Sequence, residues 1–189
     1  MKTIRRVVTG VGADGKAHIV SDGLALTVSG DDDVATGAAF VWANDSTPRL
    51  PIDGADQATT DRTFFPNVGG VRLVVCTFEA GMGVVTPEEG LAGDPAAQRA
   101  GQPGPTIDQL RTRTASAPPP PVQRLRMHAT ASVDYAVVLS GEVDLILDSG
   151  DEVRLGPTDT VIQNGTMHGW RVPPGDPAVI AFVFIGAQL

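Results

Sequence analysis

Two histidines, an aspartate and two arginines carry the chemistry that can be read from this chain. In RMHATASVDYAVVLSGE, Arg126 to Glu142, His128 stands six residues ahead of Asp134 at the mouth of an apolar strand, and His168 follows in MHGWRV. An imidazole there is a metal ligand, a general acid or base, or a polar residue on a rim. Asp134, pointing inward from an apolar strand, would be costly unless coordinated or hydrogen-bonded, so it marks a site whether or not a metal is bound. Alternation along a strand places Arg124 and Arg126 on the face of His128, and Thr166 and Trp170 on the face of His168. Guanidiniums so placed suit a carboxylate or enolate oxygen. Trp170 is read first as barrel packing and second as a substrate contact, and Tyr135 has the parity opposite to Asp134.

These residues need strands to hold them, and the chain is rich in strand signals. It has 189 residues, 22 Gly and 15 Pro, with few long helical patterns, which predicts a single all-β domain of short elements joined by turns. Residues 1–79 divide into N-terminal strands and a Pro/Asp/Thr/Gly-rich loop in which Phe64 and Phe65 are the obvious anchors. Residues 80–121 are irregular. Only TIDQLRTR reads there as a short helix, capped by Thr106, before Pro118 to Pro121 impose extended chain. From 122 to 189 the β-runs tighten: QRLRMHA, DYAVVLS, EVDLILD, EVRL, DTVIQ, MHGWRV and AVIAFVFIG. Seven closely spaced strands predict a sandwich or barrel, and Asn164-Gly165 is a two-residue hairpin signal.

Composition narrows the partners. A formal charge of −8 argues against a nucleic-acid groove and favours small-molecule work. The longest apolar run, Ala178 to Ile185, is too short to span a bilayer, so a cytoplasmic protein is expected. Cys76 is alone in VRLVVCTF and reads as a buried small hydrophobe. Gly10-Val11-Gly12-Ala13-Asp14-Gly15 matches a dinucleotide fingerprint in spacing, yet KAHIVSD after it reads as a strand where the fingerprint needs a helix; a hairpin turn is expected. His18, outside either histidine stretch, reads as surface.

Between about Arg124 and Ile185 the chain resembles the cupin superfamily. The first cupin motif has a His-x-His pair, a Glu and a later Gly; HATASVDYAVVLSG supplies His128, Thr130 at the second His position, Asp134 at the Glu position and Gly141 in register. The second has Gly, Pro-x-Gly, His and Asn; GPTDTVIQNGTMHGWRV supplies Gly156, Gln163 at the Pro position, Gly165, His168 and Val172 at the Asn position. The resemblance implies a double-stranded β-helix, or jelly-roll barrel, with an N-terminal strand layer, and a homodimer that covers sheet edges. It also implies a divalent metal, Fe, Mn, Ni or Zn, held by His128, Asp134 and His168 as a facial triad, with Gln163 offering an amide oxygen in place of a lost ligand.

Two functions from different classes follow as expectations. In the first, a metal-dependent enzyme acts on an oxygenated carboxylate or dicarbonyl-type metabolite, by dioxygenation or by redox-neutral lyase, dehydratase, decarboxylase or isomerase chemistry. His168, Asp134 and Arg126 are its catalytic residues, and Arg124, Gln163, Trp170 and Thr130 bind substrate. In the second, a metal-free binding or sensor module, His168 and Asp134 hydrogen-bond a ligand in the barrel mouth. Thr130 in place of a histidine is the support for the second.

Overall fold

A computed structural model describes residues 3–29, 37–51, 58–59, 62–83, 106–114 and 125–188. The elements are β1 (Arg5–Val11), β2 (Ala17–Leu24), β3 (Leu26–Ser29), β4 (Gly37–Asn44), β5 (Val71–Phe78), α1 (Ile107–Thr114), β6 (Ser132–Ser140), β7 (Val143–Leu147), β8 (Glu152–Leu155), β9 (Thr160–Asn164), β10 (His168–Arg171) and β11 (Ala178–Gly186). All strand pairs are antiparallel. A six-stranded sheet runs β3-β4-β5-β11-β6-β9, a three-stranded sheet runs β10-β7-β8, and β1-β2 forms a sheet of its own.

The large sheet is built around its most apolar segment. AVIAFVFIG lies between β5 and β6, where both edges are paired, and Ile180, Phe182 and Phe184 turn into the core with Phe40 and Val74. β6 alternates as a strand with one buried face should: Ser132, Asp134, Ala136 and Val138 are buried while Tyr135 and Leu139 are exposed. That parity carries Asp134 inward. The turn out of β6 depends on Gly141, whose φ is +74° and whose missing Cβ would lie 2.4 Å from the Pro177 carbonyl oxygen.

Three expectations change in the folded chain. The N-terminal strands do not make one layer: β1 and β2 form a separate hairpin, with the turn at Gly12 to Lys16 expected in place of a dinucleotide loop, whereas β3 and β4 join the large sheet. Asn164-Gly165 is not a hairpin, because β9 pairs with β6 and β10 with β7; the pair is a corner at which the chain changes sheets. Of QRLRMHA, the described residues 125–129 make one bridge, at His128, and residues 123–124 lie outside the described part of the chain.

Of the irregular stretch 80–121, residues 84–105 and 115–121 are also outside the described residues, and with them the proline run Pro118 to Pro121. The helix within the stretch forms as its cap predicts. The Gln109 amide donates to Thr106 Oγ1 at 3.2 Å and the Thr106 amide donates to Gln109 Oε1 at 2.9 Å, a reciprocal cap of two otherwise orphaned donors. Ile107 and Leu110 are buried in the main core, and the Ile107 amide donates to the Arg62 carbonyl, so α1 is tied to the loop that carries Phe64 and Phe65.

That loop is pinned from below by Arg72, whose side chain is fully buried on β5. Its guanidinium donates to the carbonyls of Thr63 (2.9 Å), Asn44 (2.9 Å) and Val71 (3.0 Å) and to Asp45 Oδ1 (2.7 Å). Burial, helped by the nearby Arg62 charge, pulls its pKa down to about 10, so it stays protonated at neutral pH.

The small sheet carries an ion network on facing strands. Asp144 of β7 lies opposite Arg154 on β8 and Arg171 on β10, and its carboxylate accepts from both guanidiniums. Burial alone would raise this acid, but the two arginines outweigh it and hold Asp144 below the usual carboxylate range. A depressed acid stabilises the fold above its unfolded pKa and loses that contribution as pH falls through the folded value. Asp144→Asn should therefore cost about 1–2 kcal/mol at neutral pH, discounted because Arg154 is half exposed, and much less at about pH 2. Urea unfolding of both chains at the two pH values tests this; an equal gap at both would remove the arginines as the cause.

Candidate functional site

One end of the barrel interior holds a cavity of about 50 Å3. Its polar side is made by His128, Thr130, Asp134, Gln163 and His168, and its apolar wall by Trp170 and the phenylalanines at 64, 65, 78, 182 and 184. Strand register explains the gathering. Asp134 sits between Gln163 on β9 and Phe184 on β11, and His168 opens β10 with Trp170 two residues on, facing the same way.

His128 and His168 are backbone partners. Each donates its amide to the other's carbonyl, at 2.8 and 2.9 Å, and the two rings lie with centroids 4.4 Å apart. His168 Nδ1 is 2.9 Å from the Thr166 carbonyl, and His128 Nδ1 is 3.4 Å from the Arg126 carbonyl. A carbonyl only accepts, so each Nδ1 carries the proton and each Nε2 keeps its lone pair. Burial, then the neighbouring His128, lowers His168 to about 4; burial also lowers His128. Both imidazoles are neutral at pH 7, with their ring planes tilted by 50° to one another.

Asp134 has a different environment. Ser132 Oγ donates to its Oδ1 at 2.5 Å and Thr130 Oγ1 lies 3.3 Å from Oδ2, the two hydroxyls being 2.9 Å apart. Burial outweighs these bonds and pushes the carboxyl up to about 6. Thr130, at the second histidine position of the cupin motif, thus serves here as a partner of the acid.

A borderline divalent cation matches the chemistry of the imidazole pair, since each ring is oriented through Nδ1 by a backbone carbonyl and left open at Nε2. The carboxylate fits less well. Among the described residues no three His, Cys, Asp or Glu side chains gather closely enough to hold a metal, and both Asp134 oxygens face hydroxyls.

The remaining candidates divide clearly. Gln163 is buried in the lining, its Oε1 accepting from Thr166 Oγ1 at 2.7 Å. Trp170 is buried and meets both the His168 ring and Phe182 edge to face. Arg126 is exposed and does not line the cavity: its segment makes only an isolated bridge, so two-residue alternation does not carry from His128 back to it. Thr166 is exposed for the related reason that β10 starts after it. Arg124 lies outside the described residues. The aromatic wall from Phe64 and Phe65 is visible in sequence only as a loop anchor. Cys76 is buried, and burial pushes its thiol up to about 12, as suits a small hydrophobe in the wall.

Antiparallel sheets close over the cavity in an all-β arrangement, with the paired histidines where two strand segments meet. Comparison with known proteins finds similar stretches of sequence. A stretch of 62 residues is 41% identical to the cupin-domain-containing oxidoreductase fogC of Aspergillus ruber, covering 31% of this chain and 30% of that protein. A stretch of 45 residues is 56% identical to the phomopsin biosynthesis cluster protein C' of Diaporthe leptostromiformis, covering 24% of each. The matched stretches thus span about a quarter to a third of these relatives' lengths. No family model matches. Among solved structures, the cupin domain of Schizosaccharomyces pombe Cnp3 is similar with a TM-score of 0.40 and 8% identity, over 98% of this chain and 88% of that one. No helix among the described residues is long and apolar enough to cross a membrane.

Proposed function

We propose that this protein is a small metal-dependent cupin enzyme that acts on an oxygenated carboxylate or dicarbonyl-type metabolite. The observation that carries the reading is the His128–His168 pair, two neutral imidazoles that line one cavity with ring centroids 4.4 Å apart, each keeping a lone pair on Nε2. Those two nitrogens would hold the cation, with Asp134 joining them if it exchanges a hydroxyl for the metal. A bound divalent ion would supply Lewis acidity toward a carbonyl or enolate oxygen. Asp134, with its pKa near 6 in this environment, can hold a proton in one state and accept it in the other at neutral pH. Trp170 and the phenylalanines keep bulk water from the reacting oxygen. That two matched relatives are described as oxidoreductases favours the oxygen-dependent form of this chemistry over the redox-neutral one.

Metal content per chain, measured by plasma mass spectrometry on tag-free protein purified without chelator, tests the reading. Near-stoichiometric metal is expected, with less than a tenth of it left in either His128→Ala or His168→Ala. No retention after anaerobic reconstitution with Fe, Mn, Ni and Zn would sink it. The second reading, a metal-free small-molecule binding or sensor cupin, would then stand; the engagement of both Asp134 oxygens by Ser132 and Thr130 favours it.

A further inference from the structure

Gln163 is buried to within 5% of full enclosure, lines the cavity, and uses its carbonyl oxygen on Thr166, yet its Nε2 has no hydrogen-bond partner. A buried amide donor without an acceptor is unfavourable, and in a cavity lining it marks where a ligand acceptor belongs. The charge of the lining narrows that acceptor. Among the described lining residues there is no Lys or Arg, the Arg126 charge reaching His128 from outside the lining, and the acid is Asp134, so a carboxylate would meet no cationic side chain of the described lining and would sit beside another carboxyl group. The walls are aromatic: Phe182 and Phe184 stack at 5.4 Å, Phe65 meets Phe184 at 5.2 Å, and Trp170 meets Phe182 at 5.9 Å. Such a wall offers edges and faces to a flat ring. The volume of about 50 Å3 admits roughly four water-sized groups at about 10–15 Å3 each, enough for a carbonyl head and the edge of a ring.

We propose that the cavity selects uncharged, flat carbonyl compounds over the matching carboxylates, and that Gln163 Nε2 is the donor that recognises the carbonyl oxygen. This rests on the cavity being the ligand site of the function proposed above, but not on a metal being held there, and it separates the dicarbonyl substrates from the carboxylates. The probes are acetophenone and benzoate, matched in shape and in heavy atoms and differing in charge. Both are titrated at neutral pH into full-length protein kept in chelator, so the outcome is independent of metal content. Acetophenone should bind at least tenfold more tightly than benzoate and shift the Gln163 side-chain amide resonances. Gln163→Leu should weaken acetophenone about three- to tenfold, the range for one neutral hydrogen bond. Equal or tighter benzoate binding, no binding of either probe, unshifted Gln163 amide signals in the wild-type chain, or undiminished acetophenone affinity in Gln163→Leu would each overturn the proposal.

Discussion

Asp134→Asn should stabilise the metal-free protein by about 3 kcal/mol at about pH 8 and leave it nearly unchanged at about pH 3. Burial raises the Asp134 carboxyl from an ordinary 3.8 to about 6, so the folded chain holds a proton that the unfolded chain releases earlier. A raised acid contributes its full stability below the unfolded pKa and loses it as pH climbs through the folded one. The wild-type chain should therefore weaken between about pH 4 and 6 and level off above that, and the difference between the folded and unfolded carboxyl amounts to about 3 kcal/mol. Asparagine cannot ionise, and it can still accept from Ser132 and donate toward Thr130, so the substitution removes the cost of charge while keeping the contacts. Chemical denaturation across this range, with chelator present, gives the answer. A wild-type curve without the decline, or an Asp134→Asn chain weaker at every pH, would show that the carboxyl is not held in an apolar setting.

Arg72→Met should destabilise the fold by about 3 kcal/mol or more. Methionine fills much of the aliphatic volume but supplies none of the donors, so the Thr63 and Asn44 carbonyls lose the bonds the guanidinium gives them and its place in the core holds no polar partner for them. Asp45→Asn should cost under about 1 kcal/mol, because Asp45 is 39% exposed and water replaces much of what it loses. A thermal or urea midpoint for each chain separates the two. If the Asp45 change were as damaging as the Arg72 change, the ion pair rather than the carbonyl bonds would be what ties Thr63 to the end of β4.

Asp134 and Arg72 show which parts of the molecule can be read from sequence. Strands β6 to β11 are legible because apolar alternation and turn residues are local signals, and Asp134 faces inward by that alternation. Thr106 announces its helix for the same reason, since a cap and its partner are three residues apart. Arg72 announces nothing: VRLVVCTF looks like any buried strand with one polar interruption, and its partners are the last residue of β4, Asn44, together with Asp45 and Thr63, which lie in segments with no regular pattern. Arg126 falls outside the cavity because alternation does not extend into a segment that makes a single bridge. Asn164-Gly165 looks like a hairpin because a turn motif specifies local backbone, not which sheet the next strand joins. Phe64 and Phe65 can be seen as anchors but not as cavity wall, which depends on α1 holding their loop against β11.

The reciprocal backbone bonds between His128 and His168 have a consequence for how such a site can drift. Gly169 lies beside the pair, and a Cβ there would press to 2.9 Å of Leu125 Cδ1 and Met127 Sδ and 3.0 Å of the Arg126 carbonyl. The two imidazoles therefore belong to one mechanical unit, tied by two hydrogen bonds and seated against a single bare glycine. A change that moves either strand segment carries both rings along, keeping their separation while altering their aim. Substitution can re-aim the pair as a whole more readily than it can spread it, which restricts the range of relative ring positions open to descendants of this sequence.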